Sequence, residues 1–318
     1  MKKIVTVTMN PTIDINTSVD QVLPEKKLRC ERPRREPGGG GINVSRAIQR
    51  LGGTSTALYL AGGPTGEMLQ QLLATEGLES FPLPTEGWTR ENLIVSETQS
   101  EQQFRFGMPG PDVTEREWSR CLETLLEMRP RPDYIVASGS LSPGIPDDFF
   151  GRISGIARQS GARLVVDTSG PPLHQAASAG AYLFKPNMAE FERLVGERLS
   201  DEREMAAAGR RLIDEGRCSV IVLSLGAGGV LIITANGGEH IRTPTVPVKS
   251  KVGAGDSMVA GIVLSLARGL DVPSAVRYGV AAGAAAVMTE GTELCRRGDT
   301  ERLYEQICNS SGSDRKIR

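Results

Sequence analysis

The sequence predicts an α/β protein, a three-layer α/β/α sandwich with a mostly parallel central sheet and a small projecting β-sheet lid. Three observations predict it. Short β-rich runs alternate with stretches of helical periodicity, which implies a parallel sheet covered on both faces. Glycines and polar residues recur just beyond those runs, where α/β folds bind ligands. Two segments, 13–36 and 90–108, show strand-like alternation without a helix of their own and read as a separate small sheet.

The elements follow in order. "KIVTVT" (3–8) is a first strand, since its threonines and then Asn10-Pro11 interrupt the ~7–15 apolar residues that a secretory leader needs. Residues 13–36 carry "INTSVD" and "KKLRCERPR" around a Pro24-Glu25 turn. "STALYLAG" (55–62) is a strand, and Met68, Leu69, Leu72 and Leu73 after it fall at helical spacing. "ENLIVSETQSEQQFRFGM" (91–108) is two alternating runs about a polar turn, hence a hairpin. "PDYIVASGS" (132–140), "ARLVVDTSG" (162–170), "AYLFKPN" (181–187) and "CSVIVLSLGAGG" (218–229) are further strands. Helical patterns close the chain near 256–268, 272–288 and 299–308. The chain therefore divides into a main domain of residues 1–12, 37–89 and 109–310, a discontinuous lid of 13–36 and 90–108, and a tail, 311–318, expected to be disordered.

With 37 basic and 38 acidic residues in 318 and a net charge of −1, nothing points to nucleic acid or a membrane surface as partner. No apolar run approaches the ~20 residues of a membrane span. Five scattered cysteines without a CxxC pair argue for reduced thiols in a cytoplasm, and against a zinc site or disulfide framework.

Two stretches carry the chemistry. "EPGGGGINVSRAIQRLGG" (36–53) sets four glycines before a helical pattern, which serves either a close ligand approach or a tight turn. It is neither a Walker A loop nor a G-x-G-x-x-G fingerprint. Asn43 offers both donor and acceptor to a sugar hydroxyl. "SKVGAGDSMVAG" (250–261) puts one carboxylate, Asp256, behind Gly253, Ala254 and Gly255 at a helix start, which attracts anions. Asp256 either caps its own helix or removes a proton beside a phosphate held by those N–H groups.

These two stretches together resemble the paired signatures of the PfkB, or ribokinase-like, carbohydrate kinases. "MNPTIDI", "KLRC", "WTREN", "SGSLSPG", "KPNMAE" and "LSLGAGG" extend the likeness almost end to end. Their order is that of the subgroup of PfkB-type 6-phosphofructokinases and tagatose-6-phosphate kinases. The resemblance implies ATP-dependent phosphorylation of the 1-hydroxyl of fructose 6-phosphate to the 1,6-bisphosphate, a glycolytic step. Tagatose 6-phosphate and fructose 1-phosphate are the alternative substrates.

By the same resemblance Asp256 is the general base, ionised with an ordinary carboxylate pKa of ~4, and the N–H groups of 253–255 form an anion hole. Asp14, Asn43, Gly39, Gly40 and Ser140 would hold the sugar, and Lys27 and Arg90 its phosphate, with Arg105 a weaker candidate. Lys27 and Arg29 share strand parity and so one face of the lid. Lys185, Asn187, Ser224, Gly226, Gly228, Gly229 and Ala284 would receive ATP. Asn187 and Glu190 would organise Mg2+ through water, and backbone near Ser250, Val252 and Gly291 would hold K+.

Lys251 departs from the small or β-branched residue usual in this family. A homodimer through the lid is expected, because Ile94, Val95, Phe104 and Phe106 are more than a thin sheet can bury. Allosteric inhibition by ATP is known in the subgroup, but no residue here shows it. A non-catalytic nucleotide or sugar-phosphate sensor on the same scaffold is the reading of another class, and the intact Asp256 and Asn187/Glu190 speak against it.

Overall fold

The computed structural model describes residues 2–100 and 102–310 and the backbone of 315–317. The chain runs through β1 (Ile4–Thr8), β2 (Thr12–Val19), β3 (Arg34–Gly38), α1 (Gly40–Arg50), β4 (Thr56–Gly62) and α2 (Gly63–Thr75). Next come β5 (Ser80–Thr85), β6 (Arg90–Glu97), β7 (Gln103–Phe106), α3 (Glu115–Glu127), β8 (Tyr134–Ser138) and α4 (Phe149–Ser160). Then follow β9 (Arg163–Asp167), α5 (Pro171–Ala179), β10 (Ala181–Phe184), α6 (Met188–Val195), α7 (Glu202–Asp214) and β11 (Cys218–Ser224). The last elements are β12 (Val230–Thr234), β13 (Gly237–Ile241), α8 (Ala254–Ala267), α9 (Val272–Val287), α10 (Arg297–Ser310) and β14 (Arg315–Ile317).

The large sheet has the order β14-β13-β12-β11-β10-β9-β8-β1-β4-β5. It is parallel from β5 to β11 and antiparallel beyond. Strand alternation divides its side chains between two helical layers. Val220, Val222, Val230 and Ile232 pack with α1, α8, α9 and α10, whereas Ile221, Leu223, Leu231 and Ile233 pack with α3, α4, α5, α6 and α7. Apolar residues on both faces of β8, β9 and β11 are what a sheet covered twice requires. The predicted three-layer sandwich is the one observed.

The second sheet has the order β3-β2-β6-β7. β2 pairs antiparallel with β3 and parallel with β6, and β6 and β7 form the expected hairpin. The predicted small sheet thus exists, assembled from pieces distant in sequence.

Several expectations need correction. The run "KKLRCERPR" is not a strand: β3 begins at Arg34, after Pro33, which lacks an N–H for the ladder. The parity argument for Lys27 and Arg29 therefore lapses, and both are exposed. Ile94 and Val95 are buried within the chain, so only Phe104 and Phe106 are left partly or largely uncovered. The tail lies outside the described residues at 311–314 and 318. Its residues 315–317 are not irregular but pair with β13, whose edge otherwise has open N–H and C=O groups. Among the described residues, no helix is long and apolar enough to cross a membrane.

Candidate active site

The carboxyl ends of β1, β8, β9 and β10 bring Asn10, Ser138, Asp167 and Lys185 to one edge of the sheet. Two helices start there. At the start of α1, Gly39 has φ 110°, and a Cβ on Gly40 would lie 2.5 Å from Ser138 Oγ and 2.6 Å from Gly139 N. The glycine run therefore lets the helix land directly on the ends of β1 and β8. At the start of α8, Gly253 adopts φ 72°, and a Cβ there would meet Leu294 Cδ2 at 2.5 Å. Gly253, Ala254 and Gly255 place their N–H groups at the positive end of that helix.

Asp256 joins the two starts: Asn43 Nδ2 donates to its Oδ2 at 2.9 Å. No side-chain cap is formed on α8, so the capping role is not the one Asp256 plays. Burial, and then the negative charge of Asp167, push its pKa up to about 6, against the Asn43 hydrogen bond and the Lys185 charge. The ordinary value of ~4 expected from sequence is thereby corrected. The cause is tertiary: an acid behind three small residues is packed between helices and faces a second acid from β9.

Lys185 is buried and pairs with Asp167 at 3.1 Å. Burial works against its charge, but Asp167, then Asp256 and Glu190, more than offset this and hold its pKa above the ordinary value. Asp167 ends β9. Its pairing with a lysine 18 residues later exists only because β9 and β10 are parallel neighbours.

Across the cleft, the parallel register aligns Thr12 with Arg90 and Asp14 with Asn92, so these side chains share one face. Asn92 Nδ2 donates to Asp14 Oδ1 at 3.0 Å. Burial raises the Asp14 pKa, opposed by that hydrogen bond and by the Arg90 charge. Burial lowers that of Arg90, opposed by Asp14. Arg90 is positioned by the carbonyls of Met108 and Asn10, at 2.9 and 3.1 Å. Ser140 Oγ accepts from Asn10 Nδ2 at 3.0 Å. Thr8 Oγ1, Asn10 Oδ1, Asn43 Oδ1, Ser138 Oγ and Arg90 Nε are buried around this cleft with no protein partner among the described residues. That is hydrogen-bonding capacity of the kind a polyhydroxy ligand uses.

The remaining candidates divide. Asn187 and Glu190 form a capping box on α6, each side chain accepting the other's backbone N–H at 2.9 and 2.8 Å. Ser224 donates its N–H to Pro186 O at 2.9 Å, which sets the turn Gly226–Gly228 beside that helix start. Gly229, with φ 100°, has its α-hydrogen side against Ile241 O, where a Cβ would come to 2.1 Å. Ala284 is only 3% exposed and packs in the core with α8 and α9 residues, where small side chains let the helices approach closely. Arg105 bonds Gln103 on the outer lid, and Lys27 and Lys251 are exposed. Ser250 Oγ donates to Gly291 O at 2.9 Å and accepts from Val252 N at 3.2 Å, so the three expected K+ residues are neighbours.

A carboxylate of raised basicity beside free helix N–H groups suits proton removal next to a migrating phosphoryl. With a lid sheet above the strand ends, this is a sugar kinase of ribokinase type. The chain belongs to the pfkB family of carbohydrate kinases, whose profile matches residues 1–297. It is 45% identical over 303 residues to the ATP-dependent 6-phosphofructokinase isozyme 2 of Mycobacterium tuberculosis (strain H37Rv), covering 95% of this chain and 89% of that protein. Phosphofructokinase-2 from Escherichia coli in complex with potassium superposes with TM-score 0.93 at 40% identity, over 97% of this chain and 100% of that one. Its complex with fructose-6-phosphate gives TM-score 0.91 at 39% identity, with the same coverage.

Proposed function

We propose that this kinase transfers the γ-phosphoryl of ATP to the 1-hydroxyl of fructose 6-phosphate. The observation that carries the reading is the Asn43–Asp256 contact, which sets one carboxylate between two glycine-opened helix starts, close enough to Asp14 to feel its charge. Asp14 and Asn43 bind sugar hydroxyls, with Gly39, Gly40 and Ser140 lining the approach, and Arg90 meets the 6-phosphate. Asp256 accepts the hydroxyl proton as O1 attacks the γ-phosphorus. The bond to the β,γ-bridging oxygen breaks, and ADP leaves. The N–H groups of Gly253, Ala254 and Gly255 stabilise the charge on the migrating group, and Lys185 balances the acids around it.

Ser224, Gly226, Gly228 and Gly229 approach the nucleotide. Asn187 and Glu190 suit a magnesium ion held through water, because Glu190 Oε1 is not used by the cap and Asn187 Oδ1 keeps a second lone pair, so both can accept from metal-bound water. Magnesium supplies charge neutralisation on the phosphates. Ser250, Val252 and Gly291 suit K+ through hydroxyl and carbonyl oxygens. The dimer is assigned to the lid, where Phe106 and Met108 are each 46% exposed. A cytoplasmic location agrees with the need for ATP and with five free cysteines.

The test is turnover with Mg-ATP against fructose 6-phosphate, tagatose 6-phosphate and fructose 1-phosphate. ADP release fastest with fructose 6-phosphate, giving the 1,6-bisphosphate, is expected. Sugar-phosphate binding without ADP release would reject the kinase assignment of this site.

A further inference from the structure

We propose that His240 is a positioning residue for the nucleotide loop, clamping the Gly226–Gly228 turn to the start of α7 only while both ring nitrogens carry protons. This rests on the reading of 224–229 as the loop that approaches ATP. Gly226, Ala227 and Gly228 are exposed and bring no side chain able to anchor them. What holds the turn sideways is His240 Nε2, 2.8 Å from Gly228 O. The ring's other nitrogen, Nδ1, lies 2.9 Å from Glu202 Oε1 in the first turn of α7.

Both partner oxygens are acceptors: an amide carbonyl has no proton, and neither has an ionised carboxylate. A neutral imidazole donates from one nitrogen and turns a lone pair toward the other oxygen. The bridge is therefore complete only with the imidazolium, and loss of one proton leaves one contact repulsive. Leu231 is the register partner on β12, and Arg315 occupies the register position on β14. Glu239, next along β13, faces the opposite layer and pairs with Arg277 of α9. Glu202 is thus the acid paired with the ring, and its strength of attachment passes through the ring to the loop. ATP affinity accordingly falls when the ring loses a proton, while the sugar site, which neither His240 contact involves, is untouched.

The test uses the intact protein, which has two histidines, so His240→Gln assigns the ring signals directly. In long-range 1H–15N spectra taken across a pH series, both His240 nitrogens should be of N–H type at the acid end and one pyridine-like at the alkaline end, and the Gly226 and Gly228 amides should move with the same midpoint. KM for ATP should rise about three- to tenfold over that range, the effect of one hydrogen bond, with kcat and the sugar-phosphate KM following their own profiles. In His240→Gln and Glu202→Gln, whose amides donate without titrating, the KM for ATP should lose this pH dependence. A His240 ring unchanged across the series, or a wild-type KM profile matching His240→Gln, overturns the inference. ATP that leaves the Gly226 and Gly228 amides unmoved overturns the nucleotide reading as well, whereas amides that respond to ATP but not to ring titration overturn the His240 clamp alone.

Discussion

Asn43 and Asp256, 213 residues apart, meet at 2.9 Å and tie the first turn of α1 to the first turn of α8. Asn43 spends its amide nitrogen on the acid and keeps a buried Oδ1 without a protein partner among the described residues. On the proposed reading, one side chain orients the base and retains an acceptor for a substrate hydroxyl.

Asp256→Asn keeps the acceptor for Asn43 but loses the base. Turnover should fall by roughly 10²–10⁴-fold, with affinity for ATP and sugar phosphate changed by less than about threefold. Steady-state rates and calorimetric binding measure the two separately. A variant with near-native turnover would remove Asp256 from the chemistry.

The base works only when ionised, so kcat/KM should decline as pH falls through about 6, the elevated value of Asp256. Asp167 raises that value and Lys185 lowers it. Asp167→Asn should therefore move the acid limb to lower pH, and Lys185→Met should move it to higher pH. Limbs that stay in place in both variants would contradict the electrostatic account.

The same shift has a stability cost. In the folded protein Asp256 holds its proton up to about pH 6, whereas unfolded it ionises near 3.8. The native state therefore binds more protons between those values, and stability drops as pH rises through that window and stays lowered above it. Asp256→Asn escapes the loss. It should be more stable than the wild type by about 1–3 kcal/mol at pH 8 and no more stable at pH 3.5, as denaturant titration at each pH would show.

Arg90 is fixed by two carbonyls and by the charge of Asp14. Arg90→Met should raise the sugar-phosphate KM roughly tenfold to hundredfold, the loss of charge-assisted hydrogen bonds, with the KM for ATP nearly constant. Equal rises in both constants would place Arg90 elsewhere in the scheme.

Two glycine-to-alanine changes should have opposite signs. A Cβ at Gly40 collides with Ser138 and the Gly139 backbone, so Gly40→Ala should destabilise by about 1–3 kcal/mol. A Cβ at Gly155, inside α4, meets nothing within 4 Å, and Gly155→Ala should stabilise by about 0.5–1 kcal/mol. Thermal melts of the pair test whether the four-glycine run is needed for close contact.

The central strands were legible because β8, β9 and β11 are continuous apolar runs, a pattern that burial on both faces imposes. β5 was not, since "SFPLPT" carries two prolines tolerated only because it is the sheet's edge. β13 is not among the strands read from the sequence, although Asn236-Gly237, at the β12–β13 turn and the strand's first residue, is a hairpin signal. In the site, Asp256, Asn43 and Asp14 could be named from motifs. The basicity of Asp256, the Asp167–Lys185 pair and the Asp14–Asn92 bond could not, because each depends on which strands become neighbours. For Lys27 and Arg29 only the shared-face argument fails, because periodicity does not carry across Pro33 and β3 begins at Arg34.

The parallel pairing of β2 with β6 joins segments 78 residues apart, as Asp14 and Asn92 show. On a growing chain, β2 and β3 emerge long before their partner and expose an open edge until four further elements have been made. Closing so long a loop is slow, and a waiting edge can pair with the same strand of another molecule. The small four-stranded sheet is therefore the part of this enzyme most dependent on orderly synthesis, and the place where a crowded refolding mixture would first exchange strands between copies.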